Sequence, residues 1–228
     1  MDTEILTPIL DVLDLLGVAV FALSGALIAA RERQTFVTMA FFALVTGVGG
    51  GTLRDIMIDT RPFWVDDPWI APICLGIALL CWFTPERWWT GKFFDFADGL
   101  GLTAYAVIGT AKALAYGVTP VPAILMGIIT GCAGGIIRDV IAGRPSILMR
   151  PELYVTAAAL SAALTVLLDK VPGLPGPAGW SMAAAAGFIL RAAAIRFGLE
   201  LPAYSRGRAR DIAPEAPQPS KSPTPPTP

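Results

Sequence analysis

Apolar runs close to the length of a membrane crossing dominate the pattern of hydrophobic and polar positions along this chain. Runs of about 18 or more mostly apolar residues, enough to cross ~30 Å of hydrocarbon, predict helices. They fall at residues 10–30, 36–58, 65–83, 98–116, 121–142, 152–168 and 180–197, the third and sixth being short. After residue 200 the pattern changes to a polar, Pro-rich stretch over 201–228. Such a stretch buries too little apolar surface to offset its ordering entropy, so it reads as a disordered tail. The implied fold class is an all-α polytopic membrane protein, with one transmembrane domain over residues 1–200.

Composition agrees: 54% of the 228 residues are hydrophobic and 15% charged, far from the balance of soluble domains. The first run follows Asp2, Glu4, Asp11 and Asp14 rather than a basic segment, so it reads as a retained helix and not a secretory signal. Histidine is absent, which removes the commonest general base and metal ligand. Cys74, Cys81 and Cys132 lie inside apolar runs without metal-ligand spacing, as small buried hydrophobes do. With no nucleophile motif either, an enzyme is disfavoured.

Basic residues cluster in alternate connections: Arg31 and Arg33, Arg87 and Lys92, Arg144 and Arg150, then Arg196, Arg206, Arg208 and Arg210. The other connections hold Arg54, Arg61 and Lys170. The positive-inside rule therefore places the N-terminus outside and the C-terminus in the cytoplasm. Trp64, Trp69, Trp82, Trp88, Trp89 and Trp180 lie near run ends, where indole rings favour the interface.

Two stretches repeat: "TGVGGGTLRD" at 46–55 and "TGCAGGIIRD" at 130–139. The offset of 84 also pairs Asp14 with Asp98, Gly17 with Gly101, Phe21 with Tyr105, and Gly25 with Gly109. After one deleted residue the offset becomes 83, pairing Arg61-Pro62 with Arg144-Pro145 and Pro68 with Pro151. The chain is thus a duplication, with repeat one at about 10–83, repeat two at about 98–168 and a seventh helix at 180–197. Each repeat holds three spans, an odd number, so the second copy enters the membrane from the opposite side. Inverted repeats of this kind place a two-fold axis in the membrane plane and a working site near the midplane.

Gly49, Gly50 and Gly51, with Gly134 and Gly135, each cost a helix roughly 1 kcal/mol against alanine. They serve close helix packing, or else a kink that frees carbonyls beside a wet cavity. Arg54, Asp55, Arg138 and Asp139 follow at the edge of the apolar region and should face a partner or such a cavity. Adjacent residues point about 100° apart, so pairing between elements is favoured over Arg54 with Asp55. The repeat fails at one informative place: Lys112 corresponds to Ile28. Its expected depth matches Asp55, and the two are expected to meet. Asp14 and Asp98 begin their spans and read as helix caps. Thr46, Thr130, Ser24 and Thr110 are candidates to line a wet path, or to bond their own helices.

The duplicated "GGGTLRD" and "AGGIIRD" in a seven-span chain resemble the prokaryotic branch of the trimeric intracellular cation (TRIC) channel family, over about residues 10 to 200. The resemblance implies a homotrimer among membrane lipids in the cell's inner membrane, with a potassium-permeable monovalent-cation pore in each protomer. Kinked second and fifth helices would line that pore, with the five glycines above as kinks. It implies no cofactor beyond a permeant potassium or sodium ion and no nucleic-acid partner. Animal members carry a lysine-glutamate-valine motif where this chain has Lys112-Ala113-Leu114, so only the lysine carries over. A secondary transporter of a small solute such as an amino acid is the alternative, since inverted repeats with broken helices also build transporters.

Overall fold

The computed structural model describes residues 3–85, 92–149 and 152–202, with side chains from residue 12 on. Arg87, Trp88, Trp89, Arg150, Pro151 and the expected disorder of the tail beyond residue 202 lie outside the described residues. The helices are α1 (Thr3–Arg31), α2 (Phe36–Met57), α3 (Phe63–Asp66), α4 (Ile70–Phe83), α5 (Phe93–Ala115), α6 (Pro120–Ile141), α7 (Tyr154–Asp169) and α8 (Gly176–Phe197). A 3-10 turn spans Ile147–Met149. Among the described residues the rest of the regular structure is one isolated bridge between Glu152 and Glu200.

Residues Val12–Arg31 of α1, together with α2, α6 and α8, are long and apolar enough to cross a membrane. Helices α4 and α7 have 14 and 16 residues, or about 21 and 24 Å. The third run loses its predicted start at 65 because Pro68 forces Asp67 into extended backbone, at φ −103° and ψ 110°. Asp67 Oδ1 then accepts the Trp69 amide at 2.8 Å. The fourth predicted run forms α5, which starts five residues earlier than the expected 98, so Asp98 lies in its second turn. Helix α5 is buried along most of its length against α1, α6, α7 and α8. Protein rather than lipid surrounds it, which lets it carry Asp98 and Lys112.

The duplication appears as reciprocal contacts. A Cβ on Gly17 would fall 1.8 Å from the Tyr105 ring, and one on Gly101 would fall 3.3 Å from the Phe21 ring. Phe21 and Tyr105, mates under the offset of 84, meet edge to face with centroids 5.2 Å apart, a favoured aromatic geometry. Contacts of residue with mate are the mark of a two-fold relation, so the internal axis passes between these rings. Helices α2 and α6 cross the same way: a Cβ on Gly50 would lie 2.1 Å from the Thr130 carbonyl oxygen, and one on Gly134 would lie 2.7 Å from that of Thr46.

Both helices are α-helical without interruption through Gly49–Gly51 and Gly134–Gly135, so the unwound turn that would free carbonyls is not formed. Each freed backbone group costs several kcal/mol in hydrocarbon, more than glycine's propensity penalty of roughly 1 kcal/mol. The glycines lie where the helices approach closely, as small residues do at membrane helix contacts. Gly50→Ala should therefore destabilise the fold by the cost of overpacking, about 1 to 3 kcal/mol, and lower the unfolding midpoint in detergent. Gly76→Ala, with nothing within 4 Å of the added carbon, should leave the midpoint unchanged or raised.

Candidate functional site

Two buried ion clusters form at symmetry-related places in the bundle. In the first, Arg54 near the end of α2 reaches Asp14 of α1, Nη1 to Oδ1 at 2.8 Å and Nη2 to Oδ2 at 2.9 Å. This two-pronged geometry suits a guanidinium. Its Nε donates to Asp55 Oδ1 at 2.8 Å. Asp55 Oδ2 accepts the Phe63 amide at 2.8 Å, which holds the start of α3 against α2. From α5, Lys112 Nζ comes within 3.0 Å of Asp55 Oδ1 and 3.7 Å of Asp14 Oδ2. The pair expected from the failed register is therefore in contact.

The second cluster repeats the first with other helices. Arg138 Nε donates to Asp139 Oδ1 at 2.9 Å, and its Nη1 contacts Asp98 Oδ1 and Ser24 Oγ. Ser24 donates to Asp98 Oδ1 at 3.0 Å. Asp139 Oδ2 accepts the Ile147 amide at 2.8 Å, as Asp55 does for Phe63, each eight residues along. The residue missing before Arg144-Pro145 is thus recovered by Ser146, and the offset of 84 returns. The Phe94 ring is close to two guanidinium groups, 4.8 Å from Arg138 Cζ and 4.6 Å from Arg31 Cζ, within cation–π range.

Three expectations change. Asp14 and Asp98 are not helix caps, because both lie inside their helices as ion-pair partners. Arg54 and Asp55 do touch, as do Arg138 and Asp139, since the long arginine stem folds its Nε back toward the next residue while the fork reaches another helix. Neither arginine is open to a wet cavity: Arg54 is 0% exposed and Arg138 1%. Of the threonines, Thr130 donates to Met126 O at 2.6 Å and Thr110 to Ala106 O at 2.8 Å, each in its own helix. Thr46 is buried beside Gly25 at the crossing of α1 and α2.

One group is absent from the sequence reading. Arg191 of α8 is fully buried, with Nη1 2.7 Å from Glu152 Oε2 and its Cζ 5.3 Å from the Tyr154 ring. An arginine well inside the seventh apolar run, a turn and more before Arg196 near its end, was its signal.

The arrangement places a buried charge cluster at each end of the α2–α6 crossing. Removing one partner from a buried pair strands the other charge, at about 3 to 5 kcal/mol. Asp14→Ala should accordingly reduce the folded fraction in detergent sharply. Asp66→Ala, which breaks an exposed pair with Arg61 at 3.1 Å, should cost at most about 1 kcal/mol. Comparable thermal stabilities for the two variants would contradict this account.

Comparison with known proteins agrees with the duplication. A family profile described as "Glycine transporter" matches twice, at residues 11–86 and 95–170, and the two matches begin 84 residues apart. A UPF0126 membrane protein of Vibrio cholerae is 35% identical over 210 residues, 90% of this chain and 86% of its own. The crystal structure of a TRIC trimeric intracellular cation channel orthologue from Rhodobacter sphaeroides is 38% identical, with a TM-score of 0.76 over 84% of this chain and 99% of that one. A prokaryotic TRIC channel crystallised in 0.5 M KCl, 24% identical, shares the fold at a TM-score of 0.77 over 86% of this chain and 100% of its own. The chain is a multi-pass membrane protein that belongs to this family, the one that joins the UPF0126 proteins and the "Glycine transporter" profile with the prokaryotic TRIC channels.

Proposed function

We propose that the protein is a monovalent-cation channel, permeable to potassium or sodium, whose pathway runs through each protomer along the crossing of α2 and α6. The observation that carries this reading is the mirrored pair of buried ion clusters at the two ends of that crossing. A channel needs a path whose sites are weak enough to leave. Here each guanidinium bonds carboxylates on its own helix and on a neighbour, so a small helix displacement parts the second bond and keeps the first. The cation-channel relatives support the same reading. In it the protein sits in the inner membrane as a homotrimer, surrounded by lipids, with its N-terminus outside. The Arg54 cluster then faces out and the Arg138 cluster faces the cytoplasm.

A second reading has one specific point in its favour, the description of the matching family profile as a glycine transporter. Reconstitution separates the two. In planar bilayers the purified protein should give unitary potassium currents of channel size. Saturable glycine uptake into proteoliposomes without such currents would replace the channel reading with the transporter.

Lys112 links α5 to both carboxylates of the outer cluster. Lys112→Ala should change the open probability and its dependence on voltage while the protein stays folded, because Arg54 still neutralises Asp14. Single-channel recording reads this directly, and an unaltered voltage dependence would remove Lys112 from the gate.

A further inference from the structure

Helices α1 and α8 both pack along α5 but hardly approach each other. They leave an opening between them in the wall of the bundle, floored by α5. Between Gly101 and Ala111 every residue of α5 is buried except Ala104, and Ala104 lies in this opening. Ile108, one turn along α5, and Leu13 of α1 line it too, packed with the Phe21 and Tyr105 rings on the internal axis. Helix α8 supplies the other side, from Pro177 to Ala184, a stretch of about 10 Å. The cavity so formed measures about 170 Å³.

The lining selects the kind of occupant. Among its described residues the one polar side chain is Ser181, whose hydroxyl donates to Pro177 O at 2.8 Å within α8. Water needs two or more polar partners to stay, and an apolar cavity of about 150 Å³ stays dry yet takes up a benzene-sized guest. Left empty, such walls forfeit dispersion contacts, so an apolar guest is favoured. Both side walls belong to segments fit to cross a membrane, Val12–Arg31 and Gly176–Phe197, where the apolar guest at hand is a lipid chain. Trp180, in the second turn of α8, also lines the cavity. Indole rings favour the headgroup level, so the cavity begins at the depth where acyl chains begin. A second copy of this protein fits less well. Membrane helices approach closely through small residues, whereas exposed Leu16, one turn beyond Leu13, and exposed Met182, beside Ser181, hold another helix off.

We propose that this cavity binds one acyl chain of a membrane phospholipid, which enters between α1 and α8 and lies along Ala104 and Ala184. The chain rests on Leu13 and Ile108. Asp14 follows Leu13, and Lys112 is one turn beyond Ile108, so the occupant backs the two helices that carry the partners of Arg54 and Asp55. The site goes beyond the channel reading and does not depend on it, because it concerns a lipid held in the wall of the bundle and not the path of an ion.

Photo-crosslinking reads how deep a chain enters. The full chain in phosphatidylcholine vesicles is illuminated together with phosphatidylcholine that carries a diazirine midway along one acyl chain, and the adducts are mapped by mass spectrometry. Adducts should form on α5 at Ala104 and its neighbours in the cavity, a segment otherwise enclosed by protein. Adducts confined to outward residues such as Met182 and Ile189 of α8 would mean that a second copy covers the opening or that no chain enters, and would overturn the proposal. Ala104→Leu puts a larger side chain into the cavity and should abolish the α5 adducts while those on Met182 persist. Ala184→Leu fills it from α8 and should do the same, so loss of folding in one variant leaves the other to decide. Undiminished α5 adducts in a folded variant overturn the placement. Unitary currents without α5 adducts would retain the channel and discard the site, whereas the adducts without currents would do the reverse.

Discussion

A guanidinium cannot be neutralised by giving up its proton, so an arginine among apolar helices has to bring its counter-charge with it. Arg54 and Arg138 each do so twice, through the next residue on their own helix and through an aspartate on another. Much else follows from that requirement. Asp14 and Asp98 have to lie inside α1 and α5 rather than at their ends. The second oxygen of Asp55 and of Asp139 is left to take the amide that opens the next turn. The ion pairs therefore fix where each helix ends and how the chain turns back.

The glycines make these pairs reachable. Because Gly50 lies against the Thr130 carbonyl and Gly134 against that of Thr46, α2 and α6 cross closer than residues with side chains would allow. Each arginine lies four residues beyond its crossing glycine, about one turn or 6 Å along the axis. Packing glycines and paired charges belong to one device used twice, with the Phe21–Tyr105 contact on its axis.

Much of this was legible in the sequence, and what was not has physical reasons. Spans, duplication and odd-numbered inversion follow from hydropathy and register, because both are properties of the chain itself. Lys112 could be matched to Asp55 because a broken repeat carries depth information. The aspartate partners were misread as caps because hydropathy places the start of α5 five residues late, which makes Asp98 look terminal. The Arg54–Asp55 contact was missed because Cβ directions 100° apart ignore the length of an arginine stem. The sequence left packing and a freed-carbonyl turn open for the glycines because propensity counts their cost, whereas the packing return depends on a partner helix that no local pattern shows. Arg191 was passed over for a related reason: it lies outside the repeats, and register offers no mate to draw attention to it.

The near-identity of the two clusters also bears on how such a fold could move ions. Alternating access in inverted-repeat transporters needs the two halves to adopt different arrangements, so that one end is open while the other is shut. Here Arg54 and Arg138 each hold one aspartate on their own helix and one on a neighbour, so that the two ends of the crossing are built alike. Opening one end does not by itself relieve the other, because the four carboxylates divide two to each cluster with none shared. Two separate clusters fit the proposed gated path better than a rocking binding site. Asymmetry enters through Lys112 opposite Ile28, so that the Arg54 cluster holds an ammonium at a place where its twin has an apolar side chain.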